Sequence, residues 1–133
     1  MTKIYDSGFR GDCMLEDTEQ INCISWLDYN YPEIAPLLFH VVNESMMPVN
    51  GRVKAKKKGL RAGVPDMVFL YKVAGYSGLI IELKRKDRTK SPIRKTQKEY
   101  LARFSGQGFA TAICYGADQF KLCIKEYLQS KPK

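Results

Sequence analysis

The stretch that most constrains this 133-residue chain lies in its middle. Residues 66–71 and 79–84 are two β-leaning apolar runs, and Gly75-Tyr76-Ser77-Gly78 between them is a turn signal. Together they read as two paired strands. In a hairpin the end of one strand lies beside the start of its partner. Gly63-Val64-Pro65-Asp66 opens the first strand and Glu82-Leu83-Lys84 closes the second. Asp66 and Lys84 are therefore expected as near neighbours. Glu82 and Lys84 are two apart and share one face. Leu83 turns to the other face as core, with its backbone carbonyl near the same spot. Two carboxylates, one carbonyl oxygen and one ammonium group thus converge on a sheet edge.

The flanking segments complete an α/β pattern. Residues 14–29 carry Leu15, Ile21, Cys23, Ile24, Trp26 and Leu27 at helical spacing, with Glu16, Asp17 and Glu19 early, where the helix dipole favours anions. Residues 37–42 form a continuous apolar run and read as a strand. Residues 43–62 read as a loop or ragged hairpin. Residues 85–92 are a charged loop, 93–104 a helix, 109–115 a strand and 117–128 a closing helix. The order predicts helices around a central mixed β-sheet. The length predicts one domain spanning 1–133, with residues 1–12 as an irregular arm.

No stretch approaches the roughly 20 apolar residues of a membrane span. Residues 1–11 carry no apolar signal region, so a cytoplasmic, membrane-free protein is expected. Cys13, Cys23, Cys114 and Cys123 form no Cys-x-x-Cys pair, and His40 is far from all of them. A structural zinc site is not expected, and the thiols read as reduced and mostly buried.

Charge narrows the partner. The net is +8, and it is unevenly spread. Residues 1–51 hold 2 basic and 8 acidic side chains, whereas residues 52–95 hold 14 basic and 3 acidic. A basic middle of this density points to a polyanion, nucleic acid before membrane. Lys54, Lys56, Lys57, Lys58, Arg61, Arg85, Lys86 and Lys95 are the candidate phosphate contacts, with Arg88 and Arg94 beside them.

Within this positive field Asp66 and Glu82 would repel phosphate, so a pure binding module has no reason to hold them. A hydrolytic site does. Hard divalent cations such as Mg²⁺ or Mn²⁺ take carboxylate and carbonyl oxygens and keep several waters. Asp66, Glu82 and the Leu83 carbonyl supply such oxygens, and Lys84 can orient a water or stabilise charge developing on phosphate. Glu-x-Lys alone is common by chance, and Pro-Asp is a good turn former. It is the two motifs in this order, on adjacent strands beside a basic segment, that carry the signal.

Gly63-Val64-Pro65-Asp66 with Glu82-Leu83-Lys84 resembles the active-site signature of the PD-(D/E)XK nuclease superfamily, and within it the virus-type replication-repair nuclease (VRR-NUC) domain. Glu16 and Gln20, four apart and followed by Trp26, resemble that family's first helix. His40 to Asn43 resembles its His-x-x-Asn segment, with Val42 where the family often has Pro. Gln97 resembles its Gln motif, with Arg94 where Ser or Thr usually stands.

The resemblance implies a restriction-endonuclease-like core in a stand-alone domain. It implies a metal set of Glu16, Asp66, Glu82 and Leu83, and a catalytic set of Glu16, Asp66, Glu82, Lys84 and Gln97. Glu19 shares a helix face with Glu16, and either could reach the metal; alignment on Gln20 and Trp26 favours Glu16. Gln97 is expected either to position a water or phosphate or simply to serve at a helix start. His40 reads as a strand-end histidine, because hard metals prefer oxygen. The implied activity is cleavage of branched DNA, four-way Holliday junctions first, as a homodimer, since paired symmetric cuts need two sites about a two-fold axis. Flap or duplex cleavage, or a non-catalytic basic binding module, are the alternatives.

Overall fold

A computed structural model describes residues 1–42 and 48–131. Five strands form one mixed sheet: β1 (Lys3–Tyr5), β2 (Leu38–His40), β3 (Met67–Phe69), β4 (Leu79–Lys84) and β5 (Ala110–Tyr115). The spatial order is β1-β5-β4-β3-β2. β4 runs parallel to β5, and β5 to β1, while β2, β3 and β4 pair antiparallel. Among the described residues four α-helices flank it: α1 (Glu16–Asn30), α2 (Val49–Lys57), α3 (Lys95–Gly106) and α4 (Ala117–Leu128).

β4 sits second from neither edge and is buried along its whole length. Its alternation feeds two cores. Leu79, Ile81 and Leu83 pack with Cys23 and Leu27 of α1 and Phe120 and Ile124 of α4. Ile80 faces the other way and packs with Leu101 of α3 and with Ile113 and Tyr115 of β5. Glu82 and Lys84 follow Ile80 on that second face by the same period of two. The sheet thus carries the larger apolar core on one side and delivers the polar end of β4 to the other.

Two expectations are corrected. Residues 1–12 are not wholly irregular: Lys3, Ile4 and Tyr5 pair with Ala112, Ile113 and Cys114 as the parallel edge strand β1. Three residues are too few to display alternation in the sequence. The strand is held by its ladder and by Tyr5, whose hydroxyl donates to Glu126 at 2.5 Å. The second correction concerns residues 43–62. Residues 43–47 lie outside the described residues, and Val49–Lys57 is helical rather than a loop or hairpin. This helix buries none of its residues, so it leaves no apolar periodicity to read. It starts after Pro48 and ends with Lys54, Lys56 and Lys57 in its last turn, where the dipole favours cations.

The remaining elements fall within a few residues of their expected bounds. Cys23, Cys114 and Cys123 are buried and Cys13 is half-buried, all as free thiols. Phe120 is fully buried and meets Trp26 edge-on at 6.2 Å. Phe120→Ala should therefore lower stability by about 3–5 kcal/mol in denaturant unfolding. A loss below about 1 kcal/mol would show that the α1–α4 layer does not hold the fold.

Candidate active site

The β3–β4 ladder places the acidic pair. Met67 pairs with Ile81, so one further step of the register sets Asp66 opposite Glu82. Asp66 stands just before β3, where its side chain continues the ladder: Oδ2 accepts from the Leu83 N–H at 2.8 Å. Its carbonyl accepts from the Val41 N–H at 2.7 Å and lies 3.0 Å from His40 Nδ1. His40 therefore holds the Asp66 backbone at a strand end. The register sets Asp66 opposite Glu82, and Lys84, expected as its near neighbour, lines the same cleft two residues further on.

Glu82 is 1% exposed. Its Oε1 accepts from Gln97 Nε2 at 3.2 Å. Its Oε2 is buried with no hydrogen-bond partner among the described residues. Gln97 is itself held, because its Oε1 accepts from the Arg94 N–H at 2.8 Å at the start of α3. Gln97 thus caps its own helix and orients Glu82. Burial, and then the neighbouring Asp66 carboxylate, push the Glu82 carboxyl up to about 10, against the pull of Lys84.

Glu16, Asp66, Glu82, Lys84 and Gln97 all line one cleft of about 250 Å³. Lys84 is 6% exposed, a cation buried beside the acids. Glu16 enters from the first residue of α1. Although it is exposed as a whole residue, partial desolvation raises its carboxyl, with Lys84 opposing the shift and Asp66 adding to it. Glu19 does not line the cleft. It is buried one turn along α1, in a separate groove, with its carboxylate against Gly116 and the Ala117 N–H at the start of α4. Leu83 is core, as its alternation requires.

Gly63 shapes the cleft wall. Its φ is +83°, and a Cβ there would lie 2.7 Å from Thr96 Cβ. Only glycine lets this loop pass against the first turn of α3. Arg94, named beside the expected phosphate contacts, lines the cleft, as does Arg52, which was absent from the expected site. Arg52 comes from α2, the helix the sequence hides. Its guanidinium in a segment of alternating cations was the only available signal.

None of the eight expected phosphate contacts lines the cleft. Lys54, Lys56, Lys57, Lys58, Arg61 and Lys95 are exposed, Lys95 lying 4.0 Å from Glu99. Arg85 and Lys86 are half-buried and turned to the N-terminal segment. Arg85 donates to the Met14 and Cys13 carbonyls, and Lys86 Nζ sits 4.9 Å from the Phe9 ring centre.

The donor set is that of an open site. No trio of His, Cys, Asp or Glu side chains among the described residues is gathered into a finished metal cage. Mg²⁺-type cations do not need one: they take one or two carboxylates and complete their shell with water and substrate phosphate. The unpartnered Glu82 Oε2 beside Asp66 fits that chemistry.

A cleft that gathers paired acids, a buried lysine and two arginines at the end of a mixed sheet fits a nuclease-like α/β fold. The VRR-NUC domain model matches residues 16–118, and the chain belongs to this family of nucleases. A solved structure described as a VRR_NUC domain protein shares the fold, with a TM-score of 0.76 at 22% identity over 93% of this chain and 94% of that one. No curated protein matches the sequence. No helix among the described residues is long and apolar enough to cross a membrane.

The raised Glu82 has a measurable consequence. A carboxyl whose pKa is raised on folding favours the folded state only while protonated. Its contribution is full below the ordinary value of 4.5 and is lost as pH rises toward about 10. The metal-free protein should therefore lose stability across that window relative to Glu82→Gln, by about 1–3 kcal/mol at the alkaline end. Thermal melts at pH 5 and pH 9 test this. An equal difference at both pH values would mean that Glu82 is not desolvated.

Proposed function

We propose that the protein is a Mg²⁺- or Mn²⁺-dependent endonuclease that hydrolyses phosphodiester bonds in branched DNA, four-way junctions first, and that it acts as a homodimer. The observation that carries the catalytic reading is Glu82 Oε2, buried beside Asp66 with no hydrogen-bond partner among the described residues, in a cleft walled by Lys84, Arg52 and Arg94. A protein that only binds DNA gains nothing from such a group, because burying an unsatisfied acid costs stability. The dimer rests on symmetry: paired cuts across a junction need two sites about a two-fold axis.

Asp66, Glu82 and the Leu83 carbonyl would hold the cation, with Glu16 completing the set from α1. When bound, it supplies positive charge against the phosphate oxygens and makes an ordinary water acidic enough to attack near neutral pH. The chain's own residues do the rest. Gln97 keeps Glu82 turned to the cleft. Arg52 and Arg94 orient the scissile phosphate. Lys84 stabilises the charge that builds on that phosphate as the new P–O bond to water forms and the P–O bond to the leaving sugar oxygen breaks. Exposed lysines of α2 hold the backbone leading into the cleft.

Labelled four-way, flap, duplex and single-stranded DNA, each with and without Mg²⁺ or Mn²⁺, provide the test. The four-way junction should be cut fastest and only with metal. Preference for flap or duplex would assign the runner-up substrate, and binding without cutting would leave a binding module. Asp66→Ala and Glu82→Ala should abolish cleavage while DNA binding is retained, each variant losing a proposed metal ligand and not a phosphate contact. Near-normal cutting by either would sink the assignment.

Lys84→Ala should lose about a hundredfold or more of the single-turnover rate, as for one electrostatic stabiliser, and Lys84→Arg should not restore it. Metal affinity should change little. Full activity in Lys84→Arg would reduce Lys84 to a charge contact. Lys54, Lys57 and Lys58 changed together to Ala should flatten the salt dependence of DNA binding by about 0.9 in log–log slope per true contact. An unchanged slope would mean that these lysines touch only solvent.

A further inference from the structure

The basic loop after β4 was expected on the DNA, yet it grips the chain's own N-terminal segment. Arg85 follows Lys84 directly, so the backbone position of its Cα is set by β4, with the Lys84 carbonyl accepting from Gly116 N–H at 2.9 Å. Strand alternation turns Arg85 to the face opposite Lys84, toward α1. There its guanidinium makes two donations to consecutive carbonyls: Nη2 to Cys13 at 3.0 Å and Nε to Met14 at 3.1 Å. These two carbonyls directly precede Leu15, the residue before α1. Leu15, which caps α1, offers no side-chain hydrogen bond to the helix. The start of α1 thus rests on the Leu15 carbonyl, which accepts from the Glu19 N–H at 3.1 Å, and on the acids of the first turn, with no side-chain cap of its own. Glu16 is its first residue and the one acid that α1 brings to the cleft.

The loop secures the same segment elsewhere. Asp87 is 3% exposed and accepts from the Gly11 N–H at 2.9 Å. Arg88 Nη1 meets Asp6 at 3.3 Å. These contacts hold the approach to α1 but do not reach the residues next to Glu16. Arg85 does.

We propose that Arg85 is a positioning residue: its fork on Cys13 and Met14 sets the first turn of α1 so that Glu16 faces Asp66 and Lys84. It is not a phosphate contact. The inference rests on the nuclease reading and adds the means by which one acid from a distant helix is brought to register with two acids on the sheet. Both belong to neighbouring residues of one strand end. Lys84 faces the cleft and Arg85, one step on, faces the helix that completes it. A lysine could not replace the fork, because one ammonium cannot reproduce two parallel donations from a rigid plane.

Wild type, Arg85→Ala, Arg85→Lys, Glu16→Ala and the double variant Glu16→Ala/Arg85→Ala decide the matter. Three quantities are read on each: Mn²⁺ affinity by calorimetry, metal-free affinity for a four-way junction across a salt series, and single-turnover cleavage. Both Arg85 variants should lose about ten- to a hundredfold in Mn²⁺ affinity or rate, the range for residues that orient ligands. Their salt slope for DNA should match wild type. Arg85→Ala should cost nothing further once Glu16 is Ala, because its effect passes through that carboxylate.

A salt slope reduced by about 1 with normal Mn²⁺ affinity would overturn the inference in favour of a phosphate contact. Full additivity in the double variant, or wild-type behaviour of Arg85→Lys, would overturn it as well. Should Arg85→Ala fail to fold by thermal melt, Arg85→Lys, which keeps the charge, carries the same comparison. Wild type that neither binds Mn²⁺ nor cuts DNA would instead remove the nuclease reading. Wild type that does both while the Arg85 variants behave normally would remove only the positioning role.

Discussion

The hydrogen bond from the Leu83 N–H to Asp66 Oδ2 is the contact on which the site depends. Asp66 stands where the β3–β4 ladder stops, and its side chain takes the place of one more backbone pairing. Its carbonyl meanwhile accepts from Val41 beside β2. One residue is thereby stitched to strands on both sides. The neighbours follow by reference to it. Glu82 lies opposite, Lys84 comes two residues later on the same face, and Gln97 is fixed because it caps α3 and donates to Glu82. The Gly63 conformation lets the preceding loop close over this group without collision.

Such a cluster works against folding. Glu82 is almost wholly enclosed, one of its oxygens has no partner among the described residues, and another carboxylate stands beside it. A buried unpaired acid is among the costlier features a small domain can hold. The opposing term is the apolar layer on the other face, where α1 and α4 close over Met67, Phe69, Ile81 and Leu83. The same strand, β4, carries both. Every second residue anchors it in the core, and the intervening ones present groups that water or a cation would otherwise solvate. Strain of this kind belongs at functional positions, because only a fold that is over-determined elsewhere tolerates it.

The positive charge divides in a way that its total conceals. Lysines of α2 and the residue after it are exposed. Arg85, Lys86 and Arg88 instead meet carbonyls, an aromatic ring and an acid of residues 6–14. Two of the eight acids of residues 1–51, Asp6 and Asp12, meet Arg88 and Lys90 across that contact. Net charge indicates a polyanionic partner, but which cations are free to meet it depends on what the folded chain has already engaged.

What the residues alone determined is what is local in period. The hairpin of β3 and β4, the shared face of Glu82 and Lys84, the core side of Leu83 and the closing helix all follow from alternation or helical spacing, and these act within a few residues. What escaped is what has no period or acts at a distance. β1 is too short to alternate, and α2 buries nothing, so neither leaves an apolar signature. Glu16 and Glu19 lie one helical turn apart and could not be separated by spacing. Tertiary structure separated them, because α4 begins at Gly116 against Glu19 while Arg85 holds the start of α1 beside the cleft. A helix face is written in the sequence, but the direction in which that face is aimed is set by the elements packed around it.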